Sequence, residues 1–154
     1  MAYTVEDLVN KFIEIENKGD AYYKELSVNP NMDIKTRTIF KIFQAEEEKH
    51  ADEYKNMLNL LGEEKNQEID FLLYDKSQKI LRNMNFNNYT FNELTSKDVL
   101  KNILFIEKEF LALALSVQGT IVKEEADKGS GAYRILTEII EEEKNHISNI
   151  ENFL

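Results

Sequence analysis

The sequence has 154 residues, 42% hydrophobic and 31% charged, a composition typical of one folded domain spanning residues 1–154 and not of a disordered chain. Its 29 acidic side chains outnumber the 19 basic ones, and the net charge of −10 disfavours binding to nucleic acid or to anionic membranes. The absence of cysteine excludes disulfides, thiolate zinc sites and a thiol nucleophile. Because no signal-peptide pattern and no apolar run of about 20 residues is present, we expect a cytoplasmic protein.

The first predicted element is a long helix. Thr4 and Asp7 form a capping-box pattern, and apolar residues at helical spacing continue from about Val5 to Leu26. The Asn29-Pro30-Asn31 run is expected to end this helix, because proline cannot continue it.

A second helix is predicted from about Ile34 to Leu61, with Asp33 as its N-cap and Gly62 just after its C-terminus. The next segment, residues 63–94, is rich in aromatic residues and far longer than a hairpin loop of about 2–8 residues. We therefore expect a crossover that packs along the helices, contains a short helix around Leu72–Leu81, and makes the second and third long helices parallel. A disordered linker is the alternative.

Two further helices complete the chain. One starts after Thr95, with Asp98 at the capping-box position, and ends before Gly129, and the other spans about Ala132 to Phe153. No window of alternating apolar and polar residues is long enough to predict a sheet. The apolar residues of all four helices follow the spacing that lines a four-helix bundle. We predict an all-α fold of two αα-hairpins joined by the long crossover.

Each apolar seam carries one glutamate near its middle, and the two histidines of the chain lie on two of these seams. In each half of the chain a lone seam glutamate is followed, on the next helix, by a Glu-x-x-His motif, as a duplicated hairpin would produce. Residues three apart share one helix face, so each motif can direct a carboxylate and an imidazole at one target. The six candidate metal ligands are Glu16, Glu47, His50, Glu107, Glu143 and His146.

Taken singly, a seam histidine is usually a hydrogen-bonded core residue, and a seam glutamate usually marks an exposed helix edge. Four carboxylates in one apolar core are costly unless they are compensated, and none of the three arginines lies within a turn of a seam glutamate. Two divalent cations balance four carboxylates when both histidines are neutral. Mixed carboxylate and imidazole ligands favour iron or manganese, and zinc can take their place. The sequence therefore predicts a dimetal site.

The segments around these residues resemble the rubrerythrin-like branch of the ferritin-like superfamily. The matching segments are IEIENKGDAYYKEL, AEEEKHADEY, LTSKDVLKNILFIEKEF and EEEKNHI. The resemblance covers all four helices and implies a ferritin-like bundle in which the six candidate ligands bind two iron ions. The seam and the family-like IEKE register both favour Glu107 over Glu109 as the ligand of the third helix.

The chain departs from rubrerythrin in two respects. Rubrerythrin carries a rubredoxin-like domain with four cysteines that delivers electrons, whereas this sequence has no cysteine. Rubrerythrin also has an extra carboxylate one turn beyond the third-helix ligand, where this chain has Phe110. The first difference calls for a separate electron donor, and the second argues against a redox-linked exchange of ligands.

Tyr23 and Tyr54, two turns beyond Glu16 and Glu47, are the candidate catalytic residues outside the ligand set. Their hydroxyls could donate hydrogen bonds to the ligands or pass an electron. The alternative is that both are core aromatic residues with satisfied hydroxyls. Gly19 is expected to make room for close packing or for a small oxidant. The glutamates expected on solvated faces are Glu14, Glu46, Glu48, Glu141 and Glu142.

Two classes of function follow from these features. The first is a non-haem diiron oxidoreductase that reduces hydrogen peroxide or dioxygen with electrons from a separate donor, such as a rubredoxin-like protein. A ferroxidase or iron-handling protein is a close variant of it. The second class is a non-catalytic metal-binding bundle. A homodimer is compatible with both, because related bundles commonly dimerise.

Overall fold

The computed structural model of the chain describes residues 2–83, 95–121, 129 and 131–154. In chain order its elements are β1 (Tyr3–Thr4), α1 (Val5–Ser27), α2 (Ile34–Leu60), a 3₁₀ helix (Gly62–Asn66), β2 (Glu68–Ile69), α3 (Phe71–Asn83), α4 (Ser96–Ile121) and α5 (Gly131–Asn152). The prediction of an all-α fold is confirmed, since the strands are only two residues long.

The predicted helix boundaries are set by side-chain caps. The Thr4 hydroxyl accepts a hydrogen bond from the Asp7 amide at 3.3 Å, and the Asp7 carboxylate accepts one from the Thr4 amide at 2.9 Å. Thr95 and Asp98 form the same reciprocal pair at the start of α4. Gly62 follows α2 with a φ of 57°, a left-handed conformation that glycine adopts without strain.

Two apolar clusters hold the four long helices together. One cluster joins the N-terminal halves of α1 and α5 to the C-terminal halves of α2 and α4. The other joins the opposite halves, with Leu26 near the end of α1, Phe40 near the start of α2, Leu100 near the start of α4 and Ile150 near the end of α5. Helices α1 and α5 therefore run in one direction and α2 and α4 in the other. The level between the two clusters is the middle of every long helix.

The connection between α2 and α4 contains the predicted short helix, α3, which extends slightly beyond 72–81 at both ends. It packs on α1 and α4 through Leu73, Ile80 and Leu81, which belong to the first apolar cluster. The rings of Tyr3 and Tyr74 stack with centroids 3.7 Å apart and tie its first turns to β1. The predicted packing of this connection is thus confirmed as far as residue 83, and its later aromatic residues fall within 84–94, outside the described residues.

The short β1–β2 pairing was not predicted. Tyr3 pairs with Ile69 and Thr4 with Glu68, and two residues per strand are too few to show an alternating pattern. The predicted third helix is described as far as Ile121, and its expected continuation through 122–128 lies outside the described residues. Among the helices that the structure describes, none has the length and apolar character needed to cross a membrane.

Candidate metal centre

The six predicted ligands lie together at the level between the two apolar clusters, in two groups of three. Triad A consists of Glu16, His50 and Glu143, and triad B consists of Glu47, Glu107 and His146. Within each triad the ligand atoms lie within 4.8 Å of one another, and all six residues are at most 6% exposed. Two ligand atoms on opposite sides of an ion, each about 2.0–2.4 Å from it, are separated by about 4.0–4.8 Å. Each triad therefore has the dimensions of a single metal site.

The two hairpins contribute to the triads in a reciprocal manner. Triad A takes a lone glutamate and a histidine from the α1–α2 hairpin and the motif glutamate from α5. Triad B takes the corresponding lone glutamate and histidine from the α4–α5 hairpin and the motif glutamate from α2. Because every triad needs both hairpins, neither hairpin alone can form a site of this kind.

Both histidines direct the Nδ1 atom of the ring toward the carboxylates of their own triad. His146 Nδ1 lies 3.0 Å from Glu47 Oε1 and 3.8 Å from Glu107 Oε1, and His50 Nδ1 lies 3.5 Å from Glu16 Oε2. Among the described residues, neither Nδ1 atom has a partner in hydrogen-bonding geometry. Atoms that approach this closely without hydrogen bonding are oriented toward a common point, as ligands of one ion are.

The opposite edge of each ring faces a glutamate that sequence reasoning assigned wrongly to a solvated face. His50 Nε2 lies 2.6 Å from Glu142 Oε2, and His146 Nε2 lies 3.9 Å from Glu46 Oε2. Both carboxylates are only about one-third exposed, at 30% and 32% of their side-chain surface. Each glutamate directly precedes the motif glutamate of its helix, so the repeated Glu-Glu doublet could have revealed them. An outer carboxylate as close as Glu142 orients a metal-binding histidine and makes it a stronger ligand, whereas Glu46 at 3.9 Å makes no hydrogen bond to His146.

The other three glutamates that the sequence places on solvated faces are exposed as predicted, namely Glu14, Glu48 and Glu141. Glu109 is exposed and belongs to neither triad, whereas Glu107 is buried in triad B. Phe110 is fully buried, and its ring packs edge-on against Phe12 with centroids 5.0 Å apart. The position of the extra rubrerythrin carboxylate is therefore part of the apolar core in this chain.

Burial and mutual repulsion make the cluster difficult to ionise without a cation. Burial raises the pKa of Glu16 well above its usual value, and the charge of Glu47 raises it further. Burial likewise raises the pKa values of Glu47 and Glu143, to which the charge of Glu107 adds. Neither oxygen of Glu16 or Glu143 has a hydrogen-bond partner among the described residues. Two divalent cations would supply the missing partners and balance the four charges, so the donor set fits a dimetal centre.

The two candidate tyrosines lie at opposite ends of the cluster. The Tyr23 hydroxyl donates a hydrogen bond of 3.0 Å to Glu107 Oε1 of triad B. The Tyr54 ring lies 6.1 Å from the His50 ring of triad A at an interplanar angle of 20°, and its hydroxyl has no hydrogen-bond partner among the described residues. Tyr23 is thus satisfied by a predicted ligand, and the expectation of a satisfied hydroxyl does not hold for Tyr54.

Gly19 provides the space that the Glu47 carboxylate occupies. A Cβ atom at position 19 would lie 2.6 Å from Glu47 Oε2 and 3.3 Å from Glu47 Cδ. Atoms at 2.6 Å overlap, so the carboxylate would have to move. The expectation of close packing at Gly19 is confirmed, and the group packed there is a member of triad B.

We expect Gly19→Ala to lower the affinity for the metal bound at triad B by about ten- to a hundredfold, a range typical of a disturbed ligand. The fold should tolerate the change, because alanine favours the helix over glycine and a glutamate end can move. Mn(II) titration calorimetry of the metal-free protein measures the affinity. Gly119→Ala is the matched control, since a Cβ there meets nothing within 4 Å. Equal affinities in the two variants would contradict this role of Gly19.

No protein-family model matches the chain, and no curated protein or solved structure shows significant similarity to it. The geometry of the two triads and the chemistry of their donor atoms are therefore the features that indicate a function.

Proposed function

We propose that this protein is a non-haem diiron oxidoreductase with a ferritin-like bundle, similar to the bundle domain of rubrerythrin, that reduces hydrogen peroxide or dioxygen. The observation that carries the proposal is the pair of buried triads, each with two carboxylates and one imidazole. Helices α1 and α5 run in one direction and helices α2 and α4 in the other, and this arrangement supports the ferritin-like bundle.

The donor set supports iron or manganese over other metals. Carboxylate oxygens are hard donors that suit these ions. The sequence contains no cysteine, whose thiolate would favour copper(I) or a structural zinc. Three protein ligands per ion also leave coordination positions open, as a site that binds a small substrate requires. Two ferrous ions held by these residues would supply the two electrons that, with two protons, convert hydrogen peroxide into two water molecules.

The residues of this chain then have distinct tasks. The carboxylates of Glu47 and Glu143, which come from the Glu-x-x-His motifs, connect each hairpin to the triad of the other. Glu142 orients the imidazole of His50 from outside, and Tyr23 holds Glu107 through its hydroxyl. The apolar clusters on both sides exclude bulk water from the centre. Electrons for further cycles come from a separate donor such as a rubredoxin-like protein.

A non-catalytic metal-binding bundle is the second candidate, and one observation favours it. Phe110 fills the core position at which rubrerythrin has its exchanging carboxylate and packs against Phe12, so this position offers no carboxylate that could exchange as a metal ligand. In this case metal would stabilise the fold without turnover. In the ferroxidase variant, iron is the substrate and its oxidised form leaves the site.

Anaerobic loading with Fe(II), followed by addition of peroxide, tests the proposal. We expect two irons per chain, rapid appearance of the optical spectrum of ferric iron, and repeated turnover when a reductant is supplied. Glu107→Ala should retain about one iron per chain, since it removes a ligand of triad B alone. Glu109→Ala, which changes an exposed glutamate two residues away, should retain both irons.

The outcomes separate the candidates. Release of ferric iron after oxidation would favour the ferroxidase variant, and stable binding without oxidation would favour the non-catalytic bundle. Failure of the unaltered protein to bind iron or manganese would contradict all three.

A further inference from the structure

Tyr54 is a buried tyrosine beside the His50 ring of triad A. It lies one turn beyond His50 on α2, is fully buried, and stacks on the imidazole of that histidine. Glu16 and Glu143, both members of triad A, are the charges that act most strongly on its hydroxyl. That hydroxyl nevertheless has no hydrogen-bond partner among the described residues. A buried hydroxyl without a partner costs free energy, so its position calls for a ligand.

Tyr23 shows that the two ends of the centre differ. It is as deeply buried as Tyr54, and its ring lies 6.0 Å from the imidazole of His146 in triad B. Its hydroxyl, however, is committed to Glu107. Triad B therefore has a hydrogen-bonded protein ligand and no free donor from this tyrosine, whereas triad A has a free donor beside it.

We propose that a small anionic ligand of the peroxide or azide class enters the centre at triad A and accepts a hydrogen bond from the Tyr54 hydroxyl. This inference rests on the proposed function and names the end of the centre at which the oxidant is bound. An anionic ligand is compatible with triad A, because a bound cation offsets the charge of the carboxylates. The Tyr54 hydroxyl would donate its hydrogen bond to the negative charge of the ligand. A hydrogen bond to a charged acceptor in a buried site is stronger than one between neutral groups.

The apolar packing around Tyr54 favours a ligand of a few heavy atoms over an organic substrate. Tyr54 belongs to the first apolar cluster, together with the fully buried Ala114 and Ile139. Three cavities among the described residues, of about 220, 270 and 10 Å³, are lined by none of the triad residues. An organic substrate would need a pocket of several hundred Å³ that opens onto the site.

Azide titration of the iron-loaded, oxidised protein tests the inference without measuring turnover. The charge-transfer absorption of ferric iron reports bound azide and gives its Kd, and metal analysis reports iron per chain. We expect Tyr54→Phe to keep two irons and to raise the azide Kd about tenfold or more, as loss of a hydrogen bond to a charged group predicts. Tyr74→Phe is the matched control: it removes the hydroxyl of a tyrosine on α3 that belongs to neither triad and accepts a hydrogen bond from Gln78, and the azide Kd should stay within about twofold of that of the unaltered protein.

The outcomes distinguish this inference from the function on which it rests. Two irons and an unchanged azide Kd in Tyr54→Phe would overturn the role of Tyr54 and leave the diiron proposal standing. Loss of iron in Tyr54→Phe would also overturn it, because the tyrosine would then support the ligands and not the anion. Failure of the unaltered protein to bind iron would overturn both.

Discussion

Addition of Mn(II) to the metal-free protein is expected to raise its thermal unfolding midpoint by about 10–20 °C. A ligand at a hundred times its Kd stabilises the folded state by about 2.7 kcal/mol per site, so two sites contribute about 5 kcal/mol. A chain of this size gains about 2–4 °C per kcal/mol. Both carboxylate oxygens of Glu16 and Glu143, and Oε1 of Glu47, have no hydrogen-bond partner among the described residues, which is why metal binding should be strongly coupled to stability. Differential scanning calorimetry with Mn(II) or with EDTA measures the shift.

A pair of neighbouring glutamates on α5 supplies the control. Glu143→Gln removes a fully buried ligand of triad A and should reduce the Mn(II)-induced shift to about half or less. Glu141→Gln changes an exposed carboxylate and should keep the full shift. Equal shifts in the two variants would show that stabilisation does not come from the triads.

In EDTA, the free energy of unfolding is expected to decrease as the pH rises above 5. Burial raises the pKa values of Glu16, Glu47 and Glu143 in the folded state, while in the unfolded chain they return to about 4.3. Between those values the folded state holds more protons, so raising the pH favours unfolding. The slope is about 1.4 kcal/mol per pH unit for each extra proton held. Burial lowers the pKa of His50, but Glu16 and Glu142 together raise it above its usual value, so His50 also holds its proton more tightly in the folded state and acts in the same direction.

Urea unfolding at pH 6, 7 and 8 measures this slope. Glu143→Gln should unfold with a shallower dependence on pH and should be more stable than the unaltered protein at pH 8 in EDTA, because one unfavourable buried charge is absent. Bound Mn(II) should reverse the slope, since metal competes with protons for the same oxygens. A flat profile in EDTA would mean that these carboxylates are solvated, against the buried geometry.

Local chemistry made much of the fold predictable from the sequence. The reciprocal pairs of Thr4 with Asp7 and of Thr95 with Asp98 are short-range hydrogen bonds that need no tertiary contact, and both helix starts were found correctly. The seam positions of the four long helices were also predictable, because a residue on an apolar helix face must be buried in any packing of the helices. The β1–β2 pair, in contrast, depends on residues more than sixty positions apart.

The set of six ligands was predictable for the same reason, since each lies on a seam and each histidine has a glutamate three residues before it. The division of the six ligands into two triads was not predictable from the sequence. Glu16 joins Glu143 of the other hairpin and not Glu47, the glutamate of the helix next to it in the chain, because the register between the hairpins decides which side chains meet. The sequence contains no local feature that specifies this register.

By itself, therefore, the sequence determined the helices, their apolar faces and the buried acidic and imidazole groups, all of which follow from residue type and helical spacing. Only the tertiary structure decided what lies around those groups. It brought Glu142 to the ring of His50 and gave Gly19 its role as space for the Glu47 carboxylate. It also hydrogen-bonded the hydroxyl of Tyr23 to Glu107 and gave that of Tyr54 no hydrogen-bond partner among the described residues. These differences arise because contacts across helices depend on the height and rotation of each helix against its neighbours, which packing alone sets.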